Sequence, residues 1–363
     1  MKICLVSPYD ISKTGGVTNH IVNYAIELRD MGKTVTILTT SSNERFHLQG
    51  IKIINLGKPV PINFGSTVAQ IFLNWKSFFK IKNFFKKNKF DIVHIHEPLV
   101  PFISIFSIIF SKSKTIVTFH ATLKKSWMFM VWGYLFKPWL EDKEVFIAVS
   151  ESAKNSLRRY GYNLPIQILP NGVSKNFFYK SKNNKKNNKI KILFVGRNEE
   201  RKGVEILIES FKILKSRQLK RNFELIMIGE NIEKLKKKYN YLEDCKFLAQ
   251  LEGKDLVDHY YNSDILCSPA IENESFGIVL IEAMASKAAV LASDINGYND
   301  LVDNKNGLLF KNKDINDLSN KLTLLIENDN LRNNLINNGY RFSTRYNWQN
   351  ISKDIYRIYN DQK

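Results

Sequence analysis

Short apolar runs alternate along this chain with longer stretches in which apolar positions recur every third or fourth residue. The runs predict strands, and the stretches predict helices that lay one face on a sheet. In the first half, a strand over Ile3–Ser7 leads to a helix over Thr18–Met31 closed by Gly32. Strands then follow at Thr34–Thr40, Ile51–Leu56, Ile92–Ile95, Thr115–Phe119 and Phe146–Val149. In the second half the series is Ile190–Val195, Glu224–Ile228 ending at Gly229, Cys245–Leu248, Ile265–Ser268, Ala289–Ala292 and Gly307–Phe310. This alternation predicts an α/β chain with two doubly wound, mostly parallel sheets covered by helices on both faces. Between the two series, Lys180 to Lys189 is made of Ser, Lys and Asn, cannot bury a core and reads as a linker. The expected domains are residues 1–180 and 181–345, with ligands at the C-terminal strand ends and an active site in the cleft between the two.

Length agrees with two domains, since 363 residues exceed the size at which a single core stops growing. Cys4, Cys245 and Cys267 lie on or beside predicted strands without metal-ligand spacing, as buried thiols in a reducing cytosol do. A strand from Lys2 to Pro8 opens the chain, so no signal peptide is expected, and the apolar run Leu99–Phe110 is too short to cross a bilayer. The expectation is a cytoplasmic protein, soluble or peripheral. Net charge is +19 and uneven: residues 1–180 carry 24 Lys and Arg against 10 Asp and Glu, the remainder 30 against 25. A basic first half points to an anionic partner, nucleic acid or a membrane surface, although an AT-rich genome also inflates Lys and Asn.

Candidate chemistry concentrates in the second half. Glu274-Ser-Phe-Gly-Ile-Val-Leu-Ile-Glu282 sets two carboxylates around a turn at Phe276-Gly277 that opens an amphipathic helix, whose free first-turn N–H groups favour an anion. Taken alone, the pair also reads as two solvated glutamates on a surface helix. Upstream, the strand Ile190–Val195 runs into Gly196-Arg197-Asn198-Glu199-Glu200-Arg201-Lys202-Gly203. There Arg197 and Lys202 suit a diphosphate, one by paired hydrogen bonds and one as a mobile charge. In the first half, Gly15-Gly16 is either a plain turn or a point of backbone approach to phosphate. It is not G-x-G-x-x-G, and no acid ends the second strand region to hold a ribose, so a nicotinamide-dependent dehydrogenase is disfavoured. His120 ends a strand, a place for a structural histidine or a ligand contact. His94 and His96 share a strand face and invite a metal, but no third ligand is expected near and no D-x-D string occurs, so no metal is expected.

Gly15-Gly16-Val17, Asp91-Ile-Val-His-Ile-His96-Glu-Pro98, Thr118-Phe-His120-Ala, Ala148-Val-Ser-Glu-Ser152, Pro170-Asn-Gly-Val173 and the two stretches above occur in an order that resembles family 4 glycosyltransferases over the whole chain. More narrowly, it resembles the branch containing phosphatidylinositol mannosyltransferase. The resemblance implies two Rossmann-like domains of GT-B architecture, the first binding acceptor and the second the nucleotide sugar, with the final stretch 346–363 packing back on the first. It implies retaining transfer of a hexose, mannose from GDP-mannose, to a membrane-lipid acceptor. The alternative is a UDP-hexose donor for a diacylglycerol glycolipid or a surface polysaccharide. No cofactor beyond the nucleotide-sugar co-substrate, no metal and no nucleic acid are implied. Catalytic roles fall to His120, Arg197, Lys202 and Glu274, and donor binding to Gly15, Gly16, Arg197, Lys202, Ser275, Phe276, Gly277, Ile278 and Glu282. Ser286-Lys287-Ala288-Ala289 departs from the family's Gly and Pro after this helix, which puts base and donor selectivity in question.

One further segment bears on location. From Ile71 to Lys87, a single helix would set Ile71, Trp75, Phe78, Phe79 and Phe85 on one face and Lys76, Lys80 and Lys87 on the other, and no acid occurs between Glu44 and Asp91. Such a helix either covers the sheet or lies in an anionic lipid surface, and Trp127-Met-Phe-Met-Val-Trp132 adds a second aromatic run. With the resemblance to a branch that acts on lipids, the expectation is peripheral attachment to the inner face of the cell membrane.

Overall fold

The computed structural model describes residues 1–360 except 65–66, 121–126, 144, 160–161, 163 and 179–188, with backbone alone at 63–64, 67–69, 127–133 and 159. The chain forms two compact units, Met1–Gly172 with Trp348–Lys363, and Val173–Asn347. The division falls ahead of the expected boundary at 180. The cause is that the chain from Val173 already packs with the second unit: Phe177 lies edge-on to Tyr260, ring centroids 5.3 Å apart, and its carbonyl accepts from Ser286 Oγ at 3.1 Å. The linker expected at 180–189 lies outside the described residues except for Lys189, which opens a strand.

The first unit has strands β1 (Lys2–Asp10), β2 (Thr34–Thr40), β3 (Lys52–Asn55), β4 (Val60–Phe64), β5 (Thr67–Ile71), β6 (Ile92–His96), β7 (Lys114–Phe119), β8 (Val145–Ala148) and β9 (Ile166–Ile168). Its helices are α1 (Gly16–Asp30), α2 (Ser77–Lys87), α3 (Ile103–Phe110), α4 (Trp127–Glu141) and α5 (Glu151–Arg159). The sheet order is β3-β2-β1-β6-β7-β8-β9, every neighbour parallel, while the antiparallel hairpin β4–β5 joins the C-terminal end of β1 through Ile71 opposite Tyr9. Strand order reverses between β1 and β6. A crevice opens beyond the carboxyl ends of strands at such a point, and here β1, β6 and β7 lead to Gly15-Gly16, His96 and His120.

The second unit repeats the plan with β10 (Lys189–Val195), β11 (Asn222–Ile228), β12 (Cys245–Leu248), β13 (Ile265–Ser268), β14 (Ala289–Ser293) and β15 (Leu308–Phe310), in parallel order β12-β11-β10-β13-β14-β15. Helices α6 (Val204–Ser216), α7 (Leu235–Lys238), α8 (Gly253–Tyr261), α9 (Ile278–Ala285), α10 (Asn296–Asn299), α11 (Ile315–Glu327) and α12 (Asp329–Ser343) cover it. Here the reversal lies between β10 and β13, whose ends lead to Arg197–Lys202 and toward Glu274.

The last helix, α13 (Trp348–Asn360), returns to the first unit. Trp348, Ile351, Ile355 and Tyr359 recur at helical spacing and bury among Ile3, Leu5, Ile21, Tyr24 and Leu28. Tyr359 Oη and His94 Nδ1 lie 2.8 Å apart, and His94 Nε2 lies 2.6 Å from Thr118 Oγ1, so the helix is tied by hydrogen bonds to the strands that lead to His120.

The single helix read over 71–87 is corrected. Ile71 ends β5 and is buried in the hairpin, and an Asn74 turn, whose Oδ1 accepts from Lys76 N at 2.9 Å, separates it from α2. Phe78 and Ile81 do cover the core, with Phe78 edge-on to Phe106 and Phe110 of α3 at centroid distances of 5.3 and 4.8 Å. Trp75 and Phe79 instead point outward, 67% and 57% exposed. The side chains of the second aromatic run, Trp127–Trp132, lie outside the described residues. No helix among the described residues is long and apolar enough to cross a membrane.

Tyr359→Phe keeps the ring but leaves a nitrogen of His94, fully buried, without its partner, so it should destabilise the protein by roughly 1–3 kcal/mol. Denaturant unfolding of this variant measures that loss, and an unchanged midpoint would show the hydrogen bond to be dispensable.

Candidate active site

In the second unit, the loop after β10 is drawn tight by backbone packing. Gly196 N donates to Ile228 O at 2.9 Å, and a Cβ on Gly229 would sit 1.8 Å from Gly196 O. The loop then makes one short turn, Glu200–Lys202, and Gly203 enters α6 at φ +68°, where a Cβ would strike Pro269 O at 1.9 Å. Only glycine meets both demands at Gly203.

This turn aims both Arg201 and Lys202 at Glu274 Oε1, Arg201 Nη1 at 3.0 Å and Lys202 Nζ in a short ion pair. On its other side, Arg201 Nε lies 2.8 Å from Glu199 Oε2, an ion pair too misaligned to count as a hydrogen bond, and Arg197 Nη1 lies 3.0 Å from Glu199 Oε1. The result is an alternating row, Arg197, Glu199, Arg201, Glu274 and Lys202. Arg197 and Lys202, expected from sequence, stand at its ends. Arg201 and Glu199, quoted there only as part of the loop string, hold its middle, and the turn that brings Arg201 and Lys202 together on Glu274 has no sequence signal.

Glu274 precedes α9, which Gly277 opens at φ +77° with Tyr298 packed where a side chain would be. Phe276 is buried against Tyr346, while Ser275 and Ile278 remain half-buried beside it. Glu282 accepts a 2.8 Å hydrogen bond from Tyr260 Oη of α8, and burial pushes its carboxyl up to about 7. Tyr260 was not foreseen, because it meets Glu282 only through packing of α8 on the unit. The departure after α9 is absorbed locally: Lys287 takes φ +59°, its N–H and that of Ala288 close the helix on Met284 O and Ala283 O, and Ser286 is fully buried.

In the first unit the strand ends bring together His20 of α1, His96 and His120, exposed by 3%, 0% and 5%. His96 Nδ1 and His120 Nε2 lie 2.9 Å apart, His20 Nδ1 lies 2.8 Å from Asn171 Oδ1, and His94 stacks on His96 at 4.3 Å. Burial lowers all four pKa values, His20 to about 4 and His94 to about 3, with His96 and His120 well below the usual range, so the rings are neutral at pH 7. The premise that no third ligand is near His96 is overturned, since one nitrogen each of His20, His96 and His120 lie within 4.8 Å of one another. Neutral imidazoles suit a cation. The 2.9 Å contact is a hydrogen bond between two neutral rings, while His20 Nε2, His96 Nε2 and His120 Nδ1 have no hydrogen-bond partner among the described residues.

His120 is further fixed by Glu97, whose Oε1 accepts from His120 N at 2.7 Å and whose backbone turns at φ +50° to reach it. Gly15 and Gly16 lead α1 in without positive φ, and a Cβ on Gly16 would meet nothing within 4 Å. Packing therefore does not demand glycine at position 16, and the space before the helix stays open.

Two parallel α/β units, each with a polar cluster at its strand ends, define the class of fold, GT-B. Residues 175–342 match the family described as Glycosyl transferases group 1 and residues 14–177 match Glycosyltransferase Family 4. The phosphatidyl-myo-inositol mannosyltransferase of Mycolicibacterium smegmatis is 30% identical, over 99% of this chain and 93% of its own length. The chain belongs to the family 4 glycosyltransferases. In fold it is similar to sucrose-phosphate synthase from Thermosynechococcus elongatus, TM-score 0.80 at 20% identity over 99% and 98% of the two chains. It is also similar to the Anabaena protein HepE solved with UDP and glucose, TM-score 0.78 at 17% identity over 99% and 100%.

A carboxyl raised in the folded state favours folding while protonated, so the folded protein loses stability as pH climbs from the ordinary 4.5 to about 7 and stays at that lower level above. Glu282→Gln has no such titration. Melting temperatures taken from pH 5 to 8 without ligand should fall more steeply for wild type than for this variant, and parallel curves would refute the raised pKa.

Proposed function

We propose that the protein is a retaining, metal-independent hexosyltransferase that moves mannose from GDP-mannose to the head group of a membrane lipid. The observation that carries this reading is the row of cations and carboxylates at the end of β10. As the glycosidic bond breaks, negative charge gathers on the departing diphosphate, and fixed cations there lower the barrier most. Arg197 and Lys202, with side chains 38% and 19% exposed, are the row's accessible cations, so they bind the diphosphate and stand in for a divalent ion. Glu274 holds hexose hydroxyls and supports positive charge on the sugar. Glu282 takes the ribose hydroxyls, whose donation stabilises its carboxylate.

The transition state is oxocarbenium-like. The acceptor hydroxyl attacks from the face the diphosphate leaves, its proton passing to a diphosphate oxygen, and retention follows. His120, a neutral imidazole, contacts the sugar, and Gly15-Gly16 admits it beside α1. The second unit holds the nucleotide sugar and the first the acceptor. The mycobacterial relative's name supports mannose and a phosphatidylinositol-type acceptor. The departure at Ser286-Lys287-Ala288-Ala289 leaves base selectivity to be tested, and the second reading is a uridine donor with a diacylglycerol glycolipid or a surface polysaccharide as product.

Thermal shift against GDP- and UDP-sugars, followed by product analysis with lipid extract, tests the assignment. GDP-mannose should stabilise the protein most and yield a mannolipid, and EDTA should leave turnover unchanged. Lys202→Ala and Arg197→Ala should each remain folded and lose about 2–4 kcal/mol of transition-state stabilisation. Near-normal turnover in either variant, or loss in EDTA restored by magnesium, sinks the proposed diphosphate chemistry.

For the membrane, Trp75 and Phe79 stand outward at a 6.3 Å ring separation beside exposed Lys76, Lys80, Lys82, Lys86 and Lys87. At roughly 1 kcal/mol per lysine near an anionic leaflet, such a surface supports salt-sensitive binding at the cytoplasmic face. Co-sedimentation with anionic vesicles should weaken in high salt and on charge reversal of Lys80, Lys82, Lys86 and Lys87. Absence of binding at low salt, with turnover on a water-soluble acceptor intact, moves the acceptor to a polysaccharide.

A further inference from the structure

We infer that Arg201 is a positioning residue of the donor site, a fixed cation that keeps Glu199 and Glu274 in place while Arg197 and Lys202 leave them for the diphosphate. The inference rests on the donor reading above and adds a division of labour among the three cations. The two outer cations each hold one acid: Arg197 on Glu199 Oε1 at 3.0 Å, and Lys202 on Glu274 Oε1. Arg201 holds both, Glu199 Oε2 at 2.8 Å and Glu274 Oε1 at 3.0 Å. Side-chain exposure follows the same division, 38% for Arg197 and 19% for Lys202 against 9% for Arg201. The deepest cation is thus the shared one.

Its backbone is anchored as well. Arg201 O accepts from Ile271 N at 2.8 Å, tying the turn to the segment that runs on to Glu274. Two cations on Glu274 Oε1 leave Oε2 without a hydrogen-bond partner among the described residues, available to a sugar hydroxyl. When a diphosphate draws Lys202 away, Glu274 still has a counter-charge beside it and keeps its place. The same holds for Glu199 when Arg197 leaves. A lysine at position 201 keeps the charge but, as a single point donor, cannot serve both acids as a planar fork does.

Wild type, Arg201→Lys, Glu274→Gln and the double variant are compared in turnover with the donor that the sugar panel selects, with GDP and UDP binding by calorimetry and with melting curves. Arg201→Lys should melt near wild type, bind the nucleoside diphosphate within about threefold of it, and lose about tenfold or more in kcat with little change in donor KM. In the Glu274→Gln background the same change should cost less than about twofold, because the group it positions is gone. Glu199→Gln is the second route, should Arg201→Lys not fold: it removes one anchor of the fork and should lower kcat with the melt preserved. Full kcat in Arg201→Lys, losses that multiply in the double variant, or a melt that falls while kcat per folded molecule holds would each overturn the inference. Wild type that binds neither GDP nor UDP instead overturns the donor reading on which it stands, and the inference with it.

Discussion

A guanidinium is a permanent cation, so one whose side chain is only 9% exposed requires acids beside it. Arg201 imposes that requirement at the end of β10, and much of the second unit's loop structure answers it. The turn Glu200–Lys202, the left-handed Gly203 and the contact of Gly229 with Gly196 bring the loop close enough for Glu199 and Glu274 to reach. On the far side, a Cβ on Gly297 would lie 2.0 Å from Glu274 O, so α10 also closes on that segment through a glycine. Backbone proximity without side chains is what makes room for five charged side chains in one row.

The first unit meets the same topological situation with opposite electrostatics. Its strand ends carry imidazoles that burial keeps neutral, paired with one another, with Asn171 and with Tyr359. Neutral rings with both donors and acceptors handle hydroxyl groups without attracting a counter-ion. The charged row suits an anion. One fold plan therefore yields two chemically distinct strand-end clusters, and the difference lies in the side chains placed at and beyond the strand ends rather than in the strand order.

Sequence periodicity carried most strands of both sheets because parallel strands are buried on both faces and read as apolar runs. It missed β9, which spans three residues with only Ile166 buried, and the hairpin β4–β5, where Pro61 interrupts the pattern. The error at 71–87 has a definite origin. Ile71, Trp75 and Phe78 keep helical spacing across a strand end, a turn and a helix start, so periodicity joined three elements that an Asx turn at Asn74 divides. At the candidate site, Arg197, Lys202, Glu274 and Glu282 were legible because each follows a strand or flanks a helix-opening glycine. His20, Asn171, Arg201 and Tyr260 were not, since their partners lie far along the chain or on another element.

Glu282 shows how a half-satisfied site can be informative. Tyr260 Oη supplies one hydrogen bond, and burial still holds the carboxyl near 7. Additional hydroxyl donors would favour its anion, so a ligand that supplied them would bind more tightly as pH rises toward that value and level off above it. The Lys287 departure does not disturb this arrangement: β14 keeps its parallel register with β13 from Ile265–Ala289 to Ser268–Ala292, and α9 closes on its own carbonyls.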